Sequence, residues 1–222
     1  MQSPFSFKTL LLFVVLLVFL VTVIQIGIIS IVFDKLGISR DGVLLLLFSS
    51  LFGSAINIPL FSIHAELPRD GQTPVILRGL LRQPVIKFQG KTIVALNVGG
   101  CLIPLVFSLY LIATQPISLI SVIVSIAIVS TISHMVSQPF PGLGIGMPIL
   151  VAPLSAALVA ILAAPEHSAP LAYICGTLGV LIGADLLRLK DIRKMGVPMA
   201  SIGGAGTFDG IFITGIVAVL LA

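Results

Sequence analysis

The chain reads as an all-α protein, a polytopic transmembrane helical bundle of about seven spans with a small cytoplasmic β-hairpin. Three observations lead there. Apolar residues make up 58% of the 222 and charged residues only 9%. Mean hydropathy is strongly positive, and apolar runs near the roughly twenty residues that cross hydrocarbon recur along the whole length. The basic residues then gather in alternate loops, as the positive-inside rule requires. No stretch is left for a soluble catalytic domain, so residues 1–222 form one transmembrane domain.

Taken in order, the spans fall at 9–33, 42–63, 92–114, 117–135, 148–164, 170–187 and 207–222. The first follows Lys8 and is too long for a signal sequence, with no small-x-small cleavage site closing it. The second and third share an Ile-Pro-Leu ending, at Pro59 and Pro104, where a missing backbone donor should kink or break each helix. Between them, 64–91 is the one substantial polar insertion. Its Val85–Leu96 end reads as two short extended runs around a Gln89-Gly90 turn, a hairpin on the cytoplasmic face. The Gln138–Met147 stretch and Pro148 hold three prolines and three glycines with no charge. Regular helix is excluded there, and a re-entrant segment or a connector at headgroup level both fit.

Orientation follows from charge. With the N-terminus inside, cytoplasmic segments carry Lys8, Arg69, Arg78, Arg82, Lys87, Lys91, Arg188, Lys190, Arg193 and Lys194, against Lys35 and Arg40 outside. This ten-to-two bias orients a multi-pass protein with its N-terminus cytoplasmic and its C-terminus outside, expected in the cell's inner (plasma) membrane. It also assigns the basic balance to anionic lipid, with the bilayer as partner and nucleic acid excluded. Nothing in the sequence fixes an oligomeric state. Cys101 and Cys175 lie inside spans and read as buried, inert thiols.

Polar residues converge at the cytoplasmic end of the spans. Asn57 ends the second, Asn97 begins the third, His134 ends the fourth, and the Pro139–Pro148 loop with Gly142 and Gly144 follows it. Asp185 ends the sixth span and Asp209 begins the seventh, behind Gly204, Gly206 and Thr207. A carboxylate in or beside hydrocarbon costs at least about 2.5 kcal/mol, so both aspartates need a reason. For Asp209 the alternative to chemistry is a helix N-cap. For Asp185, which the helix dipole disfavours, it is an ion pair with Arg188 or Lys190. Asn57 and Asn97 read equally well as interhelical hydrogen-bond glue, and His134 as a residue at the interface.

The stretch 183–217, with Asp185-Leu-Leu-Arg-Leu-Lys-Asp191-Ile and Gly203-Gly-Ala-Gly-Thr-Phe-Asp209-Gly-Ile-Phe, resembles a bacterial and archaeal polytopic membrane family known only as a domain of unknown function. More loosely it is similar to the GxGD intramembrane aspartyl proteases, namely presenilin, signal peptide peptidase and prepilin peptidase. That likeness implies that Asp185 and Asp209 are a catalytic pair, with Asn57, Asn97, His134, Gly204, Gly206, Thr207, Pro139, Gly142 and Gly144 lining their cavity. It also implies a membrane-protein or peptide substrate and no cofactor. The sequence departs from that pattern in the two residues Thr207-Phe208 between Gly206 and Asp209, and in Ala184 where those proteases carry tyrosine. Two other classes fit the same aspartates: a proton- or cation-coupled transporter or channel, and a non-catalytic subunit of a membrane complex. No His-Glu-x-x-His, Gly-x-Ser-x-Gly or phosphate-binding glycine loop with lysine occurs, so zinc-protease, serine-hydrolase and nucleotide chemistry lack their motifs and no metal site is expected.

Overall fold

The computed structural model describes residues 14–18, 22, 28–65, 90–140, 144–204 and 208–222. Among them run seven α-helices: α1 (Ile28–Lys35), α2 (Arg40–Gly53), α3 (Ile103–Thr114), α4 (Leu119–Val136), α5 (Val151–Ala163), α6 (Ser168–Val180) and α7 (Phe208–Leu221). Among the described residues two helical stretches are long and apolar enough to cross a membrane, Leu119–Val136 and Pro165–Leu186. Strands β1 (Asn57–His64), β2 (Lys91–Asn97) and β5 (Met199–Ile202) form a mixed three-stranded sheet in the order β1-β2-β5. Strands β3 (Gln138–Phe140) and β4 (Gly144–Gly146) pair by themselves.

The expected seven-span all-α bundle is therefore corrected. The 42–63 run is helix only to Gly53, turns at Ser54-Ala55 and continues as β1. The 92–114 run is β2, a π-helical turn over Val98–Leu102, and then α3. Hydropathy measures transfer to an apolar medium and does not separate an apolar strand from an apolar helix. The deciding residues are local. Pro59 sits beside a bulge on an edge strand, where a missing N–H costs no ladder bond. Pro104 lies in the first turn of α3, directly after the π-helical turn, where its missing N–H costs no α-helical bond. Helices α5 and α7, of 13 and 14 residues, reach only about 20 Å.

The expected hairpin is corrected as well. Gly90 has φ +75° and β2 begins right after it, but β2 pairs antiparallel with β1, from Asn57↔Asn97 to His64↔Lys91. Residues 85–89 lie outside the described residues. The Pro/Gly stretch after α4 holds the β3–β4 pair, with 141–143 outside the described residues.

Helix α6 is buried along every face, enclosed by α3, α4, α5 and α7. Small residues permit that approach: Gly179 lies against the Val129 side chain, and Gly183 against the Ser130 backbone and the Ser133 side chain. Tyr173 meets Phe107 edge-on at 4.9 Å, and the Ser108 and Thr177 hydroxyls share a hydrogen bond of 2.9 Å. The distribution of polarity is inverted relative to a protein in water. Ser50, Asn97, Ser108, Ser125, Ser130, Ser133, Thr177 and Asp185 are buried, while Ile120, Ile123, Leu158 and Leu162 on α4 and α5 are exposed.

Candidate functional site at Asp185

The sixth apolar run does not end as an α-helix. From Leu181 to Leu186 it widens into a π-helical turn, a feature frequent at functional sites, and Asp185 lies within it. His134 Nδ1 donates to the Gly183 carbonyl at 3.2 Å. Beyond the turn, Arg188 reaches back to the end of α4. Its guanidinium donates to the carbonyls of His134 (2.7 Å) and Ser137 (2.8 Å), to Ser137 Oγ (3.2 Å), and to Asp191 Oδ2 at 3.1 Å. The cation expected to neutralise Asp185 is thus engaged with Asp191 and the α4 carbonyls, and among the described residues no ion pair reaches Asp185.

What holds Asp185 is backbone. The chain returns through Gly196 (φ +63°), and β5 joins β2 in parallel, with Ile93↔Met199 through Leu96↔Ile202 in register. The Thr92 hydroxyl on the Val197 carbonyl (2.6 Å) and the Ile93 N–H on the Pro198 carbonyl (3.0 Å) lock the entry to that strand. The strand ends at Gly203, whose φ of +68° suits glycine. Its N–H donates to Asp185 Oδ2 at 2.7 Å. The Gly203 carbonyl packs on Gly100, in the π-helical turn before α3, where a Cβ would collide with it. The Gly203 peptide is therefore held between two π-helical turns, by Asp185 on one and by Gly100 on the other.

An amide cluster fixes the same corner. Asn97 Oδ1 accepts from the Gly100 N–H (2.8 Å), and its Nδ2 donates to the Ser54 carbonyl (2.8 Å) and to Asn57 Oδ1 (3.1 Å). The Ser201 hydroxyl also donates to Asn57 Oδ1. A Cβ on Gly204 would stand 3.3 Å from that oxygen. Asn57 thus bridges the ends of all three strands; the bonds run between strands and not between helices, where the sequence had placed them.

Of the residues singled out from sequence, Asp185, Asn57, Asn97 and Gly204 meet around Gly203. His134 is tied to the same π-helical turn through Gly183. Pro139 and Gly144 lie in the β3–β4 pair, which makes no hydrogen bond to this cluster among the described residues. Gly142, Gly206 and Thr207 lie outside the described residues. Asp209 is the second residue of α7, and its side chain also lies outside them. Sequence reading missed Ser201, Gly100 and the Arg188 clamp. The first two could have been found only by knowing that 199–202 is a strand. The spacing of Arg188 to Asp191 matched its spacing to Asp185, so the choice between them was not legible. Cys101, in the turn with Gly100, is within electrostatic reach of Asp185. Among the described residues no three His, Cys, Asp or Glu side chains come together as a metal-binding group.

The sequence pattern of one family, described as protein of unknown function (DUF1614), matches residues 51–221. The chain belongs to the DUF1614 family. The match takes in β1, β2, both π-helical turns, Asp185 and the Gly203–Asp209 segment, so the whole corner described above lies within the DUF1614 domain. No curated protein and no solved structure matches the chain.

The Arg188 clamp in this DUF1614 protein carries a direct expectation. Arg188→Ala removes a charge-assisted donor from two carbonyls at the end of α4 and should cost about 2 kcal/mol. A lowered midpoint of thermal unfolding in detergent would show it, and an unchanged midpoint would show that water replaces the guanidinium at no cost.

Proposed function

We propose that this DUF1614 protein is a multi-pass inner-membrane hydrolase in which Asp185 and Asp209 activate water against a peptide bond of a membrane-embedded substrate. Membrane residence is supported by two helices of spanning length and by the inverted polarity of the bundle, whose apolar residues face outward and whose hydroxyls, amides and carboxylate face inward. The end bearing Lys91, Arg188, Lys190 and Arg193 is the cytoplasmic one by the positive-inside rule.

The observation that carries the catalytic reading is the hydrogen bond from Gly203 N–H to Asp185. A buried carboxylate without a counter-ion among the described residues is bonded to the segment that leads, six residues on, to Asp209. Two carboxylates sharing one proton can divide the work. The ionised one takes a proton from water as its oxygen attacks the carbonyl carbon, and the protonated one gives its proton to the carbonyl oxygen. As the tetrahedral intermediate collapses, the C–N bond breaks, the proton taken from water passes to the leaving amine, and one hydroxyl of the intermediate returns its proton to the other carboxylate as the carbonyl re-forms. No cofactor enters these steps.

The test is cleavage of a reporter peptide with one transmembrane segment by the purified protein in vesicles. Products from wild type and none from Asp185→Asn or Asp209→Asn support the reading. Absence of cleavage by wild type across a set of such reporters, or full activity of either variant, overturns it. A second reading has its own observation: both 92–114 and 181–221 are helices broken by strand and π-helical turns beside a carboxylate, as in ion-coupled carriers. Proton or cation flux into vesicles that is lost in Asp185→Asn, with no peptide cleavage, would favour a transporter.

A further inference from the structure

The three-stranded sheet sits at the end of the bundle where Asp185 lies, and its edge strand is unlike that of a sheet in water. Strand β1 exposes Ile58 (43%), Leu60 (49%) and Phe61 (50%). Ile93 of the neighbouring strand, opposite Ser62, is exposed as well. In water, contiguous apolar exposure of this kind marks a surface that contacts something apolar. The same surface continues in sequence through Ile56 into α2, where Phe52 is also exposed. On the membrane reading proposed above, on which this inference rests, α2 already faces acyl chains, and the exposed Ala55 and Ile56 carry that apolar surface on toward β1.

The amide and ionisable residues of the two-stranded ribbon lie at its ends, with only the hydroxyls of Ser62 and Thr92 between them. Asn57 and Asn97 close it at the Asp185 corner, and His64 faces Lys91 at the other end. The Asp185 corner is itself at the edge of the membrane, because Arg188 and Asp191 follow within six residues. A ribbon with interfacial markers at both ends lies along the surface and does not cross the bilayer. Among the described residues no strand pairs with the outer edge of β1, which agrees with that depth. An unpaired strand edge in hydrocarbon is forbidden by the cost of its N–H and C=O groups. In the headgroup layer water and phosphate satisfy them. Pro59 has no N–H, and the bulge between Pro59 and Phe61 interrupts the ladder, so the edge is poor as a template for another strand.

We infer that β1 is a lipid-binding edge: the β1–β2 ribbon lies flat in the interfacial layer of the bilayer, with Ile58, Leu60 and Phe61 inserted among the phospholipid acyl chains beside the Asp185 site. The ribbon then anchors one wall of that site at a fixed depth.

The chain contains no tryptophan, so single-tryptophan variants report one position each. Phe61→Trp and, as a second variant, Leu60→Trp of the full chain are placed in phosphatidylcholine vesicles with bromine near the headgroup or near the chain end. Ile123→Trp, on the exposed face of α4, is the membrane control. The expected result is quenching of the Phe61→Trp emission by the shallow bromines, at a depth of about 5–10 Å below the headgroup boundary, with little quenching by aqueous iodide. Iodide quenching without bromine quenching would put the ribbon in water and overturn the inference. Quenching by neither would show that protein covers it, from this chain or a partner, and would overturn it equally. If Ile123→Trp itself escapes bromine quenching, the membrane reading fails and this inference falls with it. If only positions 60 and 61 escape, the membrane reading stands without it.

Discussion

Asp185→Asn is expected to lower cleavage of a transmembrane reporter by at least about a thousandfold, the scale on which general acid–base groups contribute, while leaving the protein folded. Asparagine keeps the side-chain shape, and its carbonyl oxygen still accepts from the Gly203 N–H that now binds Asp185 Oδ2 at 2.7 Å. What it loses is the capacity to carry a proton. Asp209→Asn should match it, and the double variant should be no worse than either single one, because two groups that act on one water fail together. Unfolding is checked separately by the thermal midpoint. Loss of activity with a midpoint several degrees lower would assign Asp185 a structural role at the β5–α7 turn instead.

The second large effect is expected at the Gly100–Gly203 contact. A Cβ on Gly100 would drive into the Gly203 carbonyl, backbone against backbone, and neither side is a flexible side-chain tip that can swing away. Gly100→Ala should therefore cost about 1–3 kcal/mol or more as overpacking. It should also displace the Gly203 N–H from Asp185, so activity should fall further than stability alone explains. Gly90→Ala is the comparison: φ is +75° there, yet nothing lies within 4 Å of the Cβ position. It carries the left-handed strain without the crowding and lies away from the site. If the two variants lose equal activity at equal stability, the Gly100–Gly203 contact does not position Asp185.

The apolar character of the runs was legible in composition, and so was Asp185, because a carboxylate within an apolar run stands out by its cost. The extended run after Gly90 was legible and is β2, but the pairing of the strands was not. Residues 57–64 and 91–97 are apolar enough to pass for helix, and their partners are far apart in sequence, Asn57 against Asn97 and Ile93 against Met199. No local pattern encodes a pairing of that range. Once β5 is known, the role of Gly203 follows at once, since a left-handed residue at a strand end turns its N–H toward the carboxylate. The nearness of Asn57 to Asn97 could be read from depth alone, as both were placed at one end of their runs. The counter-ion was the least legible element. Arg188 lies three residues from both Asp185 and Asp191, and the choice was made by the α4 carbonyls of His134 and Ser137, which no helical-wheel argument includes.

The measurement that bears most directly on the aspartyl pair is cysteine cross-linking in membranes. In a chain with Cys101 and Cys175 replaced by alanine, Asp185→Cys and Asp209→Cys are introduced together and the membranes are mildly oxidised. Carboxylates that share a proton stand within about 3–5 Å, so the two backbones should come within the roughly 7 Å that a disulfide spans, and the bond should form rapidly. Asn57→Cys with Asn97→Cys, opposite each other in the β1–β2 ladder, is the positive control. A control pair that links while 185 and 209 do not would contradict the dyad and leave Asp185 as the carboxylate that fastens the Gly203 turn.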